Sequence, residues 1–411
     1  MTCPDWRTMV AVFGRIGLLS FGGPAAQIAL MHRELVDRHR WLDEQTFLRA
    51  LSLCMLLPGP EAMQLATYAG WRMRGTMGGI VAGALFVLPG AAVIGVLALL
   101  YLQYGQLPLV QAAFLGVKAA VVIVVFQALS KVAGKALVGT EGPVIAALSF
   151  AVLFVLGLPF PLLILLAGVW GAFRAQVTHA VPAIKARQSL NPFKIVLWLT
   201  LWAAPLVLLW AMDAQFMLQV GVFFSKLAVV TFGGAYAVLG YMTQTVVTDL
   251  GWLDTQQMID ALGLAETTPG PLILVTQFVA MLAGHAQTGV SGALSAGLLA
   301  LWVTFVPCFL WIFLAGPFLD QISANARVAG ALRAITAAVV GVIANLSLWF
   351  AVHVAFASVG TLGGSAMPWP VWSSVNGPAI ALCGLAGLLM LWRKLSFVMT
   401  LPIVALAGLL V

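Results

Sequence analysis

FGGPAAQIALMHRELVDRHRWLDEQTFLRALSLCMLLPGP, residues 21–60, is answered by FGGAYAVLGYMTQTVVTDLGWLDTQQMIDALGLAETTPGP, residues 232–271. Phe21-Gly22-Gly23 matches Phe232-Gly233-Gly234, Trp41-Leu42-Asp43 matches Trp252-Leu253-Asp254, and Pro58-Gly59-Pro60 matches Pro269-Gly270-Pro271. The step is constant, since 232 − 21, 252 − 41 and 269 − 58 all equal 211. It also pairs Phe13 with Phe224, Val36 with Val247 and Gln45 with Gln256, without a gap. The chain is a duplication.

Both copies interrupt apolar runs with glycine and proline at the same places. Such residues leave main-chain N–H groups without helical partners, and within hydrocarbon those groups must face protein, water or a ligand. Matching interruptions in two halves point to the binding site of a repeat-built transporter. Kinks tolerated by packing are the plainer reading, but they do not explain why Trp-Leu-Asp recurs in the loop between.

Of the 411 residues only 8% are charged and 62% are hydrophobic, with a mean hydropathy of +1.05. A soluble domain is excluded, and a polytopic helical membrane protein follows. The formal charge of +7 forms no continuous basic face, so nucleic acid is not an expected partner. Met1 to Arg7 does not resemble a cleavable signal peptide. Cys3, Cys54, Cys308 and Cys383 lack metal or redox spacing and read as small buried hydrophobes. No HExxH, GxSxG or phosphate-loop pattern occurs, so neither a cofactor, a metal nor catalysis is expected.

In order, an interrupted segment from Thr8 to Met31 is followed by the basic loop His32 to Arg40, and a second from Phe47 to Gly70 carries Pro58-Gly59-Pro60. Apolar runs follow at Met77 to Leu102, Leu109 to Leu129, Val144 to Leu156 and Pro161 to Phe173. Arg174 to Lys194 reads as the connection, and Ile195 to Met212 as one helix without a counterpart. The plan then repeats through Met217 to Met242, Met258 to Ala283, Gly289 to Phe318, Val328 to Phe356, Val371 to Trp392 and Phe397 to Val411. A shift of 218 aligns Pro89 with Pro307. The expected division is residues 1–180, a linker over 181–215, and residues 216–411.

Lys and Arg favour cytoplasmic loops. The His32 to Arg40 loop contains Arg33, Arg38 and Arg40, whereas the matching Thr243 to Gly251 contains neither residue type. Equivalent loops are thus expected on opposite sides. The fold class is an all-α polytopic membrane protein: two inverted-topology repeats joined by one extra transmembrane helix, each with broken, re-entrant helices at FGG and PGP. Nine crossings put every basic loop inside; counting the broken segments as full crossings gives thirteen and places the His32 loop outside. Both versions leave the N-terminus cytoplasmic and the C-terminus outside.

Charges within apolar segments cost about 2.5–3.5 kcal/mol on insertion scales and need a reason. Arg15 and Lys226 are again 211 apart and bring one cation from each repeat to equivalent places, where they face an anion or else snorkel to the interface. Lys118 lies inside an apolar run and reads as an anion contact, while Arg333 reads as an interface anchor. Pro24, Pro60 and Pro271 suit helix first turns, so each break begins a half-helix whose N-terminus favours negative charge. Gly22, Gly23, Gly59, Gly233, Gly234 and Gly270, with Pro58 and Pro269 beside them, let an oxyanion approach the main chain. Ser20, Thr231, Thr267 and Thr268 offer hydroxyls, though such groups commonly bond their own helix. Glu61 and Glu266 suit proton coupling or neutralisation of Lys118 or Arg15. Asp43 and Asp254 read as helix caps.

FGGPAAQIALMHRELV, RWLDEQTF, LCMLLPGPEAMQLATYAGWRMRG and FVLPG in the first half, with FFSKLAVVTFGGAYAVLGY, GWL and LAETTPGPL in the second, resemble the chromate ion transporter family in its long, two-domain form. The resemblance implies efflux of chromate from the cytoplasm across the inner membrane. Sulfate or molybdate, which share the tetrahedral shape and charge, are the competing cargoes, and a membrane-embedded chromate reductase is the competing class. The expected partners are chromate and the bilayer; a homodimer is compatible with the sequence.

Overall fold

The computed structural model describes residues 4–175, 192–232, 235–319, 325–361 and 368–411. Gly233, Gly234 and most of the expected connection from Arg174 to Lys194 lie outside the described residues. Helices dominate: α1 (Trp6–Leu19), α2 (Gly23–His32), α3 (Glu44–Leu56), α4 (Glu61–Tyr104), α5 (Pro108–Ala136), α6 (Glu141–Leu156), α7 (Phe160–Arg174) and α8 (Pro192–Ala211) in the first part of the chain. They are followed by α9 (Gln215–Val230), α10 (Ala235–Gln244), α11 (Thr255–Thr267), α12 (Val275–Ala315), α13 (Ala326–Ala355), α14 (Gly377–Gly387) and α15 (Phe397–Gly408). Among the described residues, five helical stretches are long and apolar enough to cross a bilayer. This is a multi-pass membrane protein. One feature departs from an all-α chain: Val359–Thr361 pairs antiparallel with Pro368–Pro370.

The duplication is visible element by element. The α3 helix at 44–56 and α11 at 255–267 differ by 211 at both ends. Each repeat also winds its loop into a wide π-helical turn, Arg33–Arg38 in one and Thr245–Asp249 in the other. Asp43 accepts from the Thr46 amide at 2.8 Å and Asp254 from the Gln257 amide at 2.8 Å, so both Trp-Leu-Asp motifs end on a helix cap as their sequence predicts. α1, α2 and α3 contain 14, 10 and 13 residues, each short of the roughly 20 that span hydrocarbon.

After Pro-Gly-Pro each repeat makes a helical hairpin. α4 is interrupted at Arg74 and Gly75 (φ 63°), and α12 at Thr288 and Gly289 (φ 68°). The arms pack so closely that a Cβ on Gly70 would lie 2.2 Å from the Gly78 carbonyl oxygen, and one on Gly284 2.2 Å from that of Gly292. Glycine is required there because only hydrogen fits. These hairpins are 214 apart (288 − 74), three more than 211, and the excess equals the three residues of the 3-10 turn Leu272–Leu274. Pro271 therefore leads into a 3-10 turn and not directly into the α-helix expected of it. Pro60 directly precedes α4, and Pro24 lies in the first turn of α2.

The chain forms two compact units, neither of which is a sequence half. The first comprises the described residues of Met1–Leu99, Gln176–Ala235 and Thr268–Ala329; the second comprises those of Leu100–Ala175, Tyr236–Thr267 and Gly330–Val411. In the first, α12 packs along α9 and α8. In the second, α5 packs along α14 and α15, where Ala119, Ala120 and Ala386 let the backbones approach around Leu382 and Val404.

Candidate functional site

Each break ends its first helix in the same way. The Ser20 hydroxyl donates to the Ile16 carbonyl at 2.5 Å and the Thr231 hydroxyl to the Leu227 carbonyl at 2.6 Å. Both hydroxyls thus serve their own helix. Phe21 and Phe232 close tight turns, and Gly22 (φ 84°) reverses the chain as the N-cap of α2, whose N-terminus has no side-chain cap. That terminus carries the positive end of the helix dipole, and Gly22, Ala25 and Ala26 around it are exposed.

The breaks of the two repeats are tied to one another within the first unit. Gly59 donates its N–H to the Thr231 carbonyl at 2.8 Å, and Gly270 donates to the Ser20 carbonyl at 2.9 Å. The same exchange occurs behind them. A Cβ on Gly59 would meet the Cys308 sulfur at 2.9 Å, and one on Gly90 would meet the Pro269 carbonyl oxygen at 2.3 Å, so the residues that follow Pro307 and Pro89 back the opposite Pro-Gly-Pro turns. Two glutamines complete the junction: Gln27 Nε2 donates to the Gly270 carbonyl at 2.7 Å and Gln64 Nε2 to the Pro58 carbonyl at 2.6 Å. Their Oε1 atoms are buried without a hydrogen-bond partner among the described residues.

Arg15 and Lys226 are both exposed on equivalent faces of α1 and α9. Glu61 begins α4. Thr268 is buried, and the Thr267 hydroxyl donates to the Leu264 carbonyl at 2.8 Å. Glu266 is buried in α11 with the Tyr236 hydroxyl as its hydrogen-bonding neighbour. Arg333 lines a cavity of about 440 Å³ together with Trp170, Arg174 and Glu141, where Arg174 and Glu141 form an ion pair.

Lys118 is in the second unit, and it is paired. Its Nζ lies 2.9 Å from Asp260 Oδ1 and donates to Gln256 Oε1 at 2.8 Å; Tyr101 donates to Asp260 Oδ2 at 2.7 Å. The side chains of Lys118 and Asp260 are 7% and 0% exposed, so this charge pair is fully desolvated. The counter-charge of Lys118 is therefore Asp260, a residue the sequence reading passes over in favour of Glu61 and Glu266. A signal for it exists: 260 − 49 is 211, and the matching residue is Arg49, a reversal of charge between duplicated positions.

Among the described residues no group of three His, Cys, Asp or Glu side chains is arranged to hold a metal. The family model for chromate transporters matches residues 7–172 and 218–410, leaving out the linker helix α8. The chain is 32% identical over 346 residues to the chromate transport protein of Cupriavidus metallidurans, covering 83% of this chain and 82% of that one. It is 31% identical over 411 residues to the chromate transport protein of Pseudomonas aeruginosa, covering 99% and 92%. An uncharacterized transporter of Methanocaldococcus jannaschii is 26% identical over 356 residues, covering 85% and 86%. No solved structure matches the chain.

Proposed function

The chain belongs to the chromate transporter family, and from that premise we propose that it is a secondary transporter exporting chromate across the inner membrane by alternating access. The reading is carried by the reciprocal Gly59–Thr231 and Gly270–Ser20 hydrogen bonds. Interrupted helices at corresponding places in two repeats are where transporters hold small ions, and a junction made of exchanged contacts has the pseudo-twofold character such a site requires.

The oxyanion is held at the breaks by the uncapped N-terminus of α2 and by main-chain donors around Gly22 and Gly23, with Gly233 and Gly234 as their counterparts. The Pro58-Gly59-Pro60 and Pro269-Gly270-Pro271 turns, with Thr268 beside the second, shape the junction. Arg15 and Lys226 are cations at its approaches, and Lys118 is an intramembrane anion contact. Ser20, Thr231 and Thr267 support their helices and act through the main chain. Glu61 and Glu266 balance charge.

The repeats, residues 1–180 and 216–411, are inserted in opposite senses, with α8 supplying the odd crossing. The basic His32 to Arg40 loop and its bare match support this orientation, which puts the N-terminus in the cytoplasm. An inside-negative potential then contributes about 2.3 kcal/mol per charge per 100 mV, and roughly twice that for a departing dianion.

The experiment is uptake of radiolabelled chromate by everted vesicles. Accumulation in the wild type that is lost in Lys118→Ala and reduced in Arg15→Ala is expected. No accumulation would overturn export, and unchanged uptake in both variants would remove their roles. Excess sulfate in the same assay tests the competing cargo.

A further inference from the structure

A neutral pair is a poor receptor for a dianion. As long as Asp260 lies 2.9 Å from Lys118, the ammonium already has its counter-charge, and an oxyanion entering would meet a third negative group in a desolvated site. Mutual repulsion of acids at close range is resolved by protonation. We propose that Asp260 is the proton-carrying residue of transport: it takes a proton from the cytoplasmic side as the oxyanion displaces it from Lys118, and releases that proton outside when the ion pair re-forms. This rests on the export reading above.

The surroundings of Asp260 suit both states. Tyr101 donates to the carboxylate at 2.7 Å, and its hydroxyl can equally accept from a protonated carboxyl. Gln256 holds the ammonium at 2.8 Å through its amide oxygen, a bond that does not depend on the state of Asp260. Tyr101 and Gln256 thus each keep a hydrogen bond to their partner when the proton arrives. The titratable groups facing Asp260 are Lys118 from α5 and Tyr101 from α4. Asp254, the cap of α11, and Glu266 within it lie more than a turn away on either side.

The pair also explains how the unloaded protein returns. A solitary lysine in the membrane interior is costly, whereas Lys118 joined to Asp260 carries no net charge. In the first repeat the equivalent position holds Arg49, so the duplication supplies no second carboxylate at this position. One proton per anion follows, and loaded transport moves a single net negative charge outward, so the membrane potential acts on one charge and not on the two of the bare dianion.

The test uses the purified full-length protein in proteoliposomes, with chromate followed by radiolabel and lumenal pH by a dye. At zero membrane potential, an alkaline lumen should accumulate chromate in wild-type vesicles by about tenfold per pH unit, with one proton entering per chromate. In Asp260→Asn the proton count should fall to zero at whatever rate that variant runs, and in Asp260→Glu it should stay at one. A count of one in Asp260→Asn means the anion carries its own proton, and overturns the assignment. Should the Asn variant be inert, Tyr101→Phe decides: a pH midpoint of transport displaced from that of the wild type supports the proposal, and an unmoved midpoint overturns it. Wild-type uptake indifferent to the pH gradient sinks proton coupling alone, whereas no chromate uptake at all removes the export reading and this proposal together.

Discussion

The main-chain N–H of Gly59 donates to the carbonyl oxygen of Thr231 over 2.8 Å, which ties the Pro-Gly-Pro break of one repeat to the Phe-Gly-Gly break of the other. Gly59 has φ 115° and Gly270 φ 92°, values that residues with a side chain rarely adopt. Gly59→Ala also drives a methyl to within 2.9 Å of Cys308 and Gln64. Each of Gly59→Ala and Gly270→Ala is expected to cost about 1–3 kcal/mol of stability and most of chromate transport. Thermal melting of purified protein together with vesicle uptake checks this; wild-type behaviour in either variant would show the junction to be incidental.

The buried Lys118–Asp260 pair gives a different signature. Removing one partner alone strands a charge, at about 3–5 kcal/mol, while replacing both by apolar residues can be neutral. Lys118→Met should therefore lower the melting temperature sharply, and Lys118→Met/Asp260→Leu should recover most of that loss without recovering transport. Recovery of transport in the double variant would show that neither charge handles the anion.

His32 supplies a pH dependence at the end of α2. Its Nε2 lies 2.6 Å from Glu44 and its Nδ1 3.4 Å from Asp37. The hydrogen bond to Glu44 holds the imidazole's pKa above its ordinary value, with Asp37 adding to the effect. A folded pKa raised above the unfolded one means the stabilisation is complete below about pH 6.5 and disappears as pH climbs through the raised value. The difference in melting temperature between wild type and His32→Gln should shrink over that interval; a difference independent of pH would refute it.

Opposite insertion of the repeats is tested at two exposed positions, Arg38 and Asp249. In a background without other cysteines, Arg38→Cys should react with an impermeant maleimide only from the cytoplasmic side, and Asp249→Cys only from outside. Labelling from one side in both cases would leave the repeats parallel.

What the sequence discloses follows from what each feature depends on. Helix breaks at Gly22 and Gly59, and caps at Asp43 and Asp254, are local properties of glycine, proline and aspartate, and they appear where the 211-residue step places them. The linker helix, read as Ile195 to Met212, is Pro192–Ala211 because an apolar run bounded by polar residues needs nothing else to define it. The exchange between Gly59 and Thr231 is not local, and no spacing announces it. Asp260 is overlooked for the same reason: it becomes the partner of Lys118 only through the packing of α11 on α5, 142 positions apart by numbering (260 − 118). The Val359–Thr361 strand is hidden because three residues are too few for periodicity to register.

The crossed bonds at the junction also bear on how such a protein can be assembled. A chain carrying one repeat alone would leave the Gly59 amide with no mate, since the carbonyl it donates to, that of Thr231, resides in the other copy. A half-length form is thus obliged to pair with a second polypeptide as it folds, and two separately synthesised halves should complement one another where neither persists by itself.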